Sequence, residues 1–259
     1  MGSPTTKPPV RLAILEADTP LPGTAAAYQT YGNVFTSLFA RALSPTTTPV
    51  SSVLSIRAYN VVTSAPAAAA TYPDLDDLDA VLVTGSRHSA FADDPWIVAL
   101  VEFVRAALAT GGRVRVVGVC FGHQIVGRAL GVPVARGRNG WEVSVTEVRL
   151  SERGREVFGG RETLKIHQMH RDEVFSYPAG AEPLAETDVC PVQGMLIPGK
   201  AITVQGHPEF TEGIVREILE SRHDVGIISD EIYKSGIERV ADEHDGVAIA
   251  QAFLRFLRD

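Results

Sequence analysis

The sequence predicts an α/β protein: a central, mostly parallel sheet with helices on both faces, extended by a small antiparallel section. Three observations predict it. Short, predominantly apolar runs at residues 10–15, 80–84 and 114–119 suit strands that are covered on both faces. Segments with apolar residues at helical spacing lie between them, and strands alternating with helices imply a parallel sheet. Residues 132–204 then change to short strand-like pieces, read as a mostly antiparallel part of the same domain.

Each element has its own signal. Residues 10–15 form the first strand, and residues 19–23, with two prolines, form a loop. Tyr28, Tyr31, Val34, Phe35, Leu38, Phe39 and Ala42 recur at helical spacing and predict a helix ending near Leu43. Residues 51–61 are rich in β-branched residues and read as a strand, residues 66–70 as a low-complexity loop, and residues 80–84 as a strand ending at Gly85-Ser86. Asp94-Pro95 opens a helix in which Ile97, Leu100, Val101, Val104 and Leu108 line one face, stopped by Gly111-Gly112. A strand over 114–119 leads into a helix-compatible segment ending at Gly131. Strand-like pieces follow at 143–150, 164–167, 189–197 and 201–204, and residues 211–259 read as helix. With no internal repeat or interdomain linker, residues 10–259 are expected to form one domain behind a disordered arm of residues 1–9.

Composition narrows the function. The chain has 259 residues, 45% of them hydrophobic and 21% charged, enough apolar material for a sizeable core. A formal net charge of −7 argues against nucleic acid or an anionic membrane as partner. No apolar run approaches the ~18 residues of a transmembrane span, and the first nine residues lack a secretory apolar region. Only two cysteines occur, Cys120 and Cys190. If one is a nucleophile no disulfide pair remains, which points to a reducing, cytoplasmic compartment.

Gly118-Val119-Cys120-Phe121-Gly122 is the stretch that carries chemistry. It follows a buried strand and opens a helix, and glycines flank the central residue in the G-x-nucleophile-x-G elbow. The free N–H groups and positive end of the following helix favour the thiolate of Cys120. Gly206-His207-Pro208-Glu209-Phe210 supplies the partners. On an extended segment His207 and Glu209 share a face, so the carboxylate can orient the imidazole while the imidazole handles the thiol proton. The backbone N–H of Phe121 is placed for a tetrahedral oxyanion, and Ser86, after Gly85 at the end of a neighbouring strand, is the expected second donor. Paired cysteines and H-E-x-x-H are absent, so no metal is expected, and the lack of a phosphate-binding G-x-x-x-x-G-K-S/T loop excludes the ATP equipment of a synthetase. No cofactor is expected.

Together, G-V-C-F-G-H-Q and G-H-P-E-F resemble the class I, triad-type glutamine amidotransferases. The resemblance implies a flavodoxin-like three-layer sandwich with Cys120, His207 and Glu209 as the triad. It further implies that Gln124 meets the α-amino and carboxylate end of a glutamyl substrate, and that the loop carrying Asn139, Gly140 and Trp141, with Gly85, adds substrate contacts. Gly85-Ser86-Arg87-His88-Ser89-Ala90-Phe91, Gly140-Trp141-Glu142-Val143 and the run from His167 to Val174 are similar to stand-alone members, among them plant γ-glutamyl peptidases and fungal relatives. Synthetase glutaminases more often have Gly-Gly-Pro where this chain has Gly85-Ser86-Arg87. The resemblance therefore implies a hydrolase that cleaves the γ-glutamyl amide of glutamine or glutathione-type peptides through a thioester. A glutaminase supplying ammonia in trans to a synthase, and a non-catalytic protein that keeps the fold, are the alternatives. The expected partner is a small glutamyl molecule; a synthase partner or a homo-oligomer is left open, as are the roles of His88, His170 and Cys190.

Overall fold

The computed structural model describes residues 7–44, 48–63 and 72–259. From the N terminus run β1 (Val10–Glu16), α1 (Pro22–Tyr28), α2 (Tyr31–Leu43), β2 (Leu54–Asn60), β3 (Ala80–Val83), α3 (Pro95–Ala109), β4 (Arg115–Val119) and α4 (Phe121–Ala129). There follow β5 (Val134–Arg136), β6 (Glu142–Leu150), α5 (Glu152–Val157), β7 (Thr163–His170), β8 (Asp172–Val174), β9 (Glu182–Glu186), β10 (Gly194–Ile197) and β11 (Ala201–Val204). Helices α6 (Glu212–Asp224), α7 (Asp230–Arg239) and α8 (Gly246–Arg258) complete the chain.

Nine strands form one sheet in the order β2-β1-β3-β4-β11-β10-β9-β6-β7. The first five are parallel and the rest antiparallel. The inner parallel strands are apolar along most of their length because alternate side chains feed different cores. Leu12, Ile14, Leu82, Val117 and Val119 enter the core beneath α2 and α8. Ala13, Leu15, Val81, Val83 and Val116 enter the one beneath α3 and α4. A third core joins α6 to Val143 of β6 and Met169 of β7. β5 and β8 make a separate antiparallel pair.

Several expectations shift in detail. The strand at 201–204, read with the antiparallel section, lies parallel beside β4, pairing Ala201 with Val116 and Val204 with Val119. The strand expected from 51 begins at Leu54 after a single 3₁₀ turn, and the one expected from 189 begins at Gly194. Residues 211–259 are three helices, separated around 225–229 and 240–245. The 66–70 loop and residues 1–6 of the expected arm lie outside the described residues. Lys7 is described, and its Nζ donates to the carbonyl of Arg258 at 2.8 Å. Among the described residues no helix is long and apolar enough to cross a membrane.

In parallel α/β sheets, ligands gather outside the carboxyl ends of the strands. Here β1, β3, β4 and β11 end side by side and lead into the segments that carry Asp18, Gly85, Cys120 and His207 respectively.

Candidate active site

Cys120 stands between β4 and α4 with φ 51° and ψ −104°, a conformation that L side chains rarely adopt. Such a residue carries roughly 1–3 kcal/mol of strain and persists only where its surroundings hold it. Its N–H donates to the Val204 carbonyl at 2.9 Å and its carbonyl accepts from Gln124 N–H at 3.1 Å. The flanking glycines are steric necessities. A Cβ at Gly118 would lie 2.7 Å from the Gly122 carbonyl oxygen, and one at Gly122 would lie 2.2 Å from that of Val83. Cys120, 5% exposed as a residue, thus holds its thiol at the amino end of α4, where the helix dipole favours the anion.

His207 is fixed from every side. Its N–H donates to the His167 carbonyl at 2.7 Å, its ring stacks on Phe210 with centroids 3.9 Å apart, and its Nδ1 meets Glu209 Oε1 at 2.8 Å. This contact is made across a turn at Pro208-Glu209 rather than along an extended segment. With Nδ1 turned to Glu209, Nε2 is the ring nitrogen left for Cys120, whose charge acts on the imidazole. Burial works against a charged imidazole, but the negative charges of Cys120 and Glu209 outweigh it and raise the group from 6.5 to about 10. The arrangement therefore favours the charged imidazolium form of His207 at neutral pH. Gly85 closes the remaining side: a Cβ there would stand 2.5 Å from His207 Cε1.

The Gly85-Ser86 turn is pinned by an ion pair at the cleft rim. Arg87 donates its backbone N–H to Asp18 at 2.7 Å and its Nε to the same carboxylate at 2.8 Å, while Nη2 reaches the Thr19 carbonyl. Phe121 is the first residue of α4, so its N–H has no intrahelical acceptor.

A cleft in two lobes opens over these groups. The lobe at Cys120, ≈ 250 Å³, also takes in Gln124, Trp141, His170 and Arg171. The lobe at Gly85, His207, Glu209 and Phe210 is ≈ 260 Å³. Ser86, Arg87, Met169, Arg222 and Ile227 border both. Gln124 is buried, its amide donating to the Asp172 carbonyl at 2.8 Å and to Gln205 Oε1 at 3.0 Å. Asn139 and Gly140 are exposed and border neither lobe; the Asn139 amide donates to the Val189 carbonyl at 2.8 Å. His88 sits in the Cys120 lobe with its ring edge-on to Trp96.

Sequence reasoning left other parts open. His170 is buried against the Cys120 lobe, with Nε2 3.0 Å from Glu142 Oε2 and Nδ1 3.1 Å from the Asp172 carbonyl. Gln193 donates to the same Glu142 oxygen at 2.6 Å. Cys190 lies behind them, its thiol pushed up by burial and by the Glu173 charge. Among the described residues, Glu142, His170 and Cys190 are the one group whose donor atoms could surround a metal, all within 4.8 Å of one another. The Glu142 oxygen is already engaged by two donors. Arg222, on the polar-patterned α6, gave no signal in the sequence.

The comparisons agree with this architecture. The family model of class-I glutamine amidotransferases matches residues 50–222. The chain is 35% identical over 249 residues to a glutamine amidotransferase-like protein of Schizosaccharomyces pombe, covering 95% of this chain and 98% of the relative. It is 37% identical over 153 residues to γ-glutamyl peptidase 3 of Arabidopsis thaliana, covering 57% of this chain and 61% of that one. A solved glutamine amidotransferase from Thermotoga maritima shares the fold with a TM-score of 0.71 at 18% identity, covering 96% of this chain and 99% of that one. The chain belongs to the class-I glutamine amidotransferase family.

Proposed function

We propose that the chain is a cysteine hydrolase of γ-glutamyl amides, with Cys120 as nucleophile, His207 as general acid and base, and Glu209 as the group that orients His207. The observation that carries this reading is the imidazole held between a carboxylate on Nδ1 and the elbow thiol, at the floor of a two-lobed cleft. The thiolate attacks the γ-carbonyl carbon, forming the C–S bond and a tetrahedral oxyanion. Backbone N–H groups of Phe121 and Ser86 take up that charge, a donation worth roughly 3–4 kcal/mol per donor. The C–N bond breaks as His207 Nε2 passes its proton to the departing amine, leaving a γ-glutamyl thioester. Water then adds to the thioester while neutral His207 takes its proton. The C–S bond breaks, and glutamate leaves behind the thiolate–imidazolium pair.

The glutamyl end is assigned to the Cys120 lobe, with Gln124 and Trp141 around it, and Gly85 borders the site from the His207 lobe. Asn139 and Gly140 act there only through the loop that carries Trp141. The enzyme is proposed to act on a small glutamyl substrate in the reducing cytoplasm, where Cys120 and Cys190, both free thiols, stay reduced. Likeness to plant γ-glutamyl peptidases supports peptides over glutamine as substrate. Glutamate release from γ-glutamyl dipeptides and from glutamine tests this directly. Faster release from the dipeptides is expected. Faster release from glutamine would favour a glutaminase serving a synthase, and release from neither would overturn the reading.

A further inference from the structure

If the proposed function holds, the direction of the chemistry divides the cleft. The proton for the departing amine comes from His207, so the amine and whatever it carries must lie on the His207 side of the reacting carbon. That side is the second lobe, walled by Leu21, Tyr31, Phe210, Ile218, Val225 and Ile227. Val225 and Ile227 are 69% and 50% exposed, an apolar rim facing solvent at the entrance. Ammonia leaves nothing to fill such a space.

The charges at the cleft are unequally matched. Arg87 is neutralised by Asp18 and Arg136 by Asp172. None of the ion pairs among the described residues includes Arg171 or Arg222. Both guanidiniums instead rest against the Trp141 ring, at 5.2 Å and 4.8 Å from its centroid. Nη1 of Arg222 is buried without a hydrogen-bond partner. A buried, unpaired donor on a charged group costs free energy that an anionic ligand returns. Arg171 borders the Cys120 lobe alone, whereas Arg222 reaches the His207 lobe. Burial also pulls the Arg222 guanidinium below its ordinary value, against the opposing pull of Cys120, Tyr31 and Asp18.

From this we infer that the His207 lobe is a leaving-group subsite for an amino acid or peptide with a free carboxylate and an apolar side chain, and that Arg222 binds that carboxylate. The substrate class is then γ-glutamyl amino acids and peptides, which carry one more carboxylate than glutamine.

The test compares γ-glutamyl-leucine with γ-glutamyl-leucinamide, identical but for the C-terminal charge, with glutamine as a third substrate. A charge-assisted contact predicts that wild-type kcat/KM favours the free acid by roughly 10–100-fold. Arg222→Met keeps the bulk against Trp141 and should collapse that ratio to about threefold or less, mainly through KM; Arg222→Lys should restore part of it. Equal cleavage of acid and amide by the wild-type protein would overturn the subsite, and this comparison holds even if a variant fails to fold. Equal losses on both substrates in Arg222→Met would mark Arg222 as structural and overturn it too. Cleavage of glutamine without either dipeptide would overturn the subsite while leaving the glutamyl chemistry standing. Cleavage of none would remove the functional reading and this inference with it.

Discussion

Gly85→Ala is a one-methyl perturbation whose consequence can be worked from the coordinates. The new Cβ would stand 2.5 Å from His207 Cε1, where ordinary van der Waals contact begins near 3.4 Å. The imidazole must therefore retreat by about 1 Å. Its opposite supports do not give: Phe210 is stacked on it at 3.9 Å and its backbone is tied to His167. A shift of that size stretches the 2.8 Å contact to Glu209 beyond hydrogen-bond range and carries Nε2 off Cys120. Displacements of about 1 Å in catalytic geometry cost on the order of 100-fold in rate, about 2.7 kcal/mol of transition-state stabilisation. Overpacking adds about 1–3 kcal/mol of destabilisation. Gly213→Ala is the matched control, since it lies in α6 with nothing near the added methyl. It should leave activity intact and gain up to ~1 kcal/mol in stability. Steady-state kinetics on a γ-glutamyl dipeptide, with thermal melts of both variants, provide the assay. A Gly85→Ala enzyme within threefold of wild type would refute the claim that this glycine is reserved for the ring of His207.

Other expectations follow from the same geometry. His207 titrates near 10 in the folded protein and at 6.5 when free, so its stabilising charge is fully present below about pH 6.5 and fades as pH rises through 10. The alkaline limb of kcat/KM should accordingly fall near pH 10, and Glu209→Gln, which removes one of the charges holding the proton, should move that limb to lower pH; an unmoved limb would sever Glu209 from His207. Replacing Cys120 by Gly rather than Ala loses about 0.8 kcal/mol of methyl burial and roughly 0.5–1 kcal/mol of backbone entropy but releases about 1–3 kcal/mol of strain. In chemical denaturation the Gly variant should thus match or exceed the Ala variant, and a deficit of about 2 kcal/mol or more would show that the elbow is unstrained. Gly122→Ala drives a methyl to 2.2 Å from the Val83 carbonyl and should cost on the order of 3–5 kcal/mol, read as a drop in Tm.

The parts of the site that sequence reveals are those where chemistry and backbone coincide. The elbow at Cys120 needs glycines two residues to either side, and His207 and Glu209 are close neighbours in the chain, so both stretches are legible locally. The helices over 31–43 and 95–109 announce themselves through long apolar stripes. Short elements do not: α1, β5, β8 and β9 have too few residues for a period to emerge. β11 reads as one more piece of the antiparallel section because pairing partners are set by long-range contacts, yet its place beside β4 is what brings His207 to Cys120. Arg222 is invisible for a related reason. It is one cation on a helix with a charged outer face, and only tertiary folding lays it against Trp141.

The central claim is that Cys120 carries the glutamyl group covalently. Rapid acid quench of the enzyme turning over a γ-glutamyl dipeptide, followed by peptide mass analysis, tests it most directly. A glutamyl thioester on the peptide containing Cys120, absent in Cys120→Ala, is the predicted result. Full turnover by Cys120→Ala, or an adduct on Cys190 in place of Cys120, would contradict it.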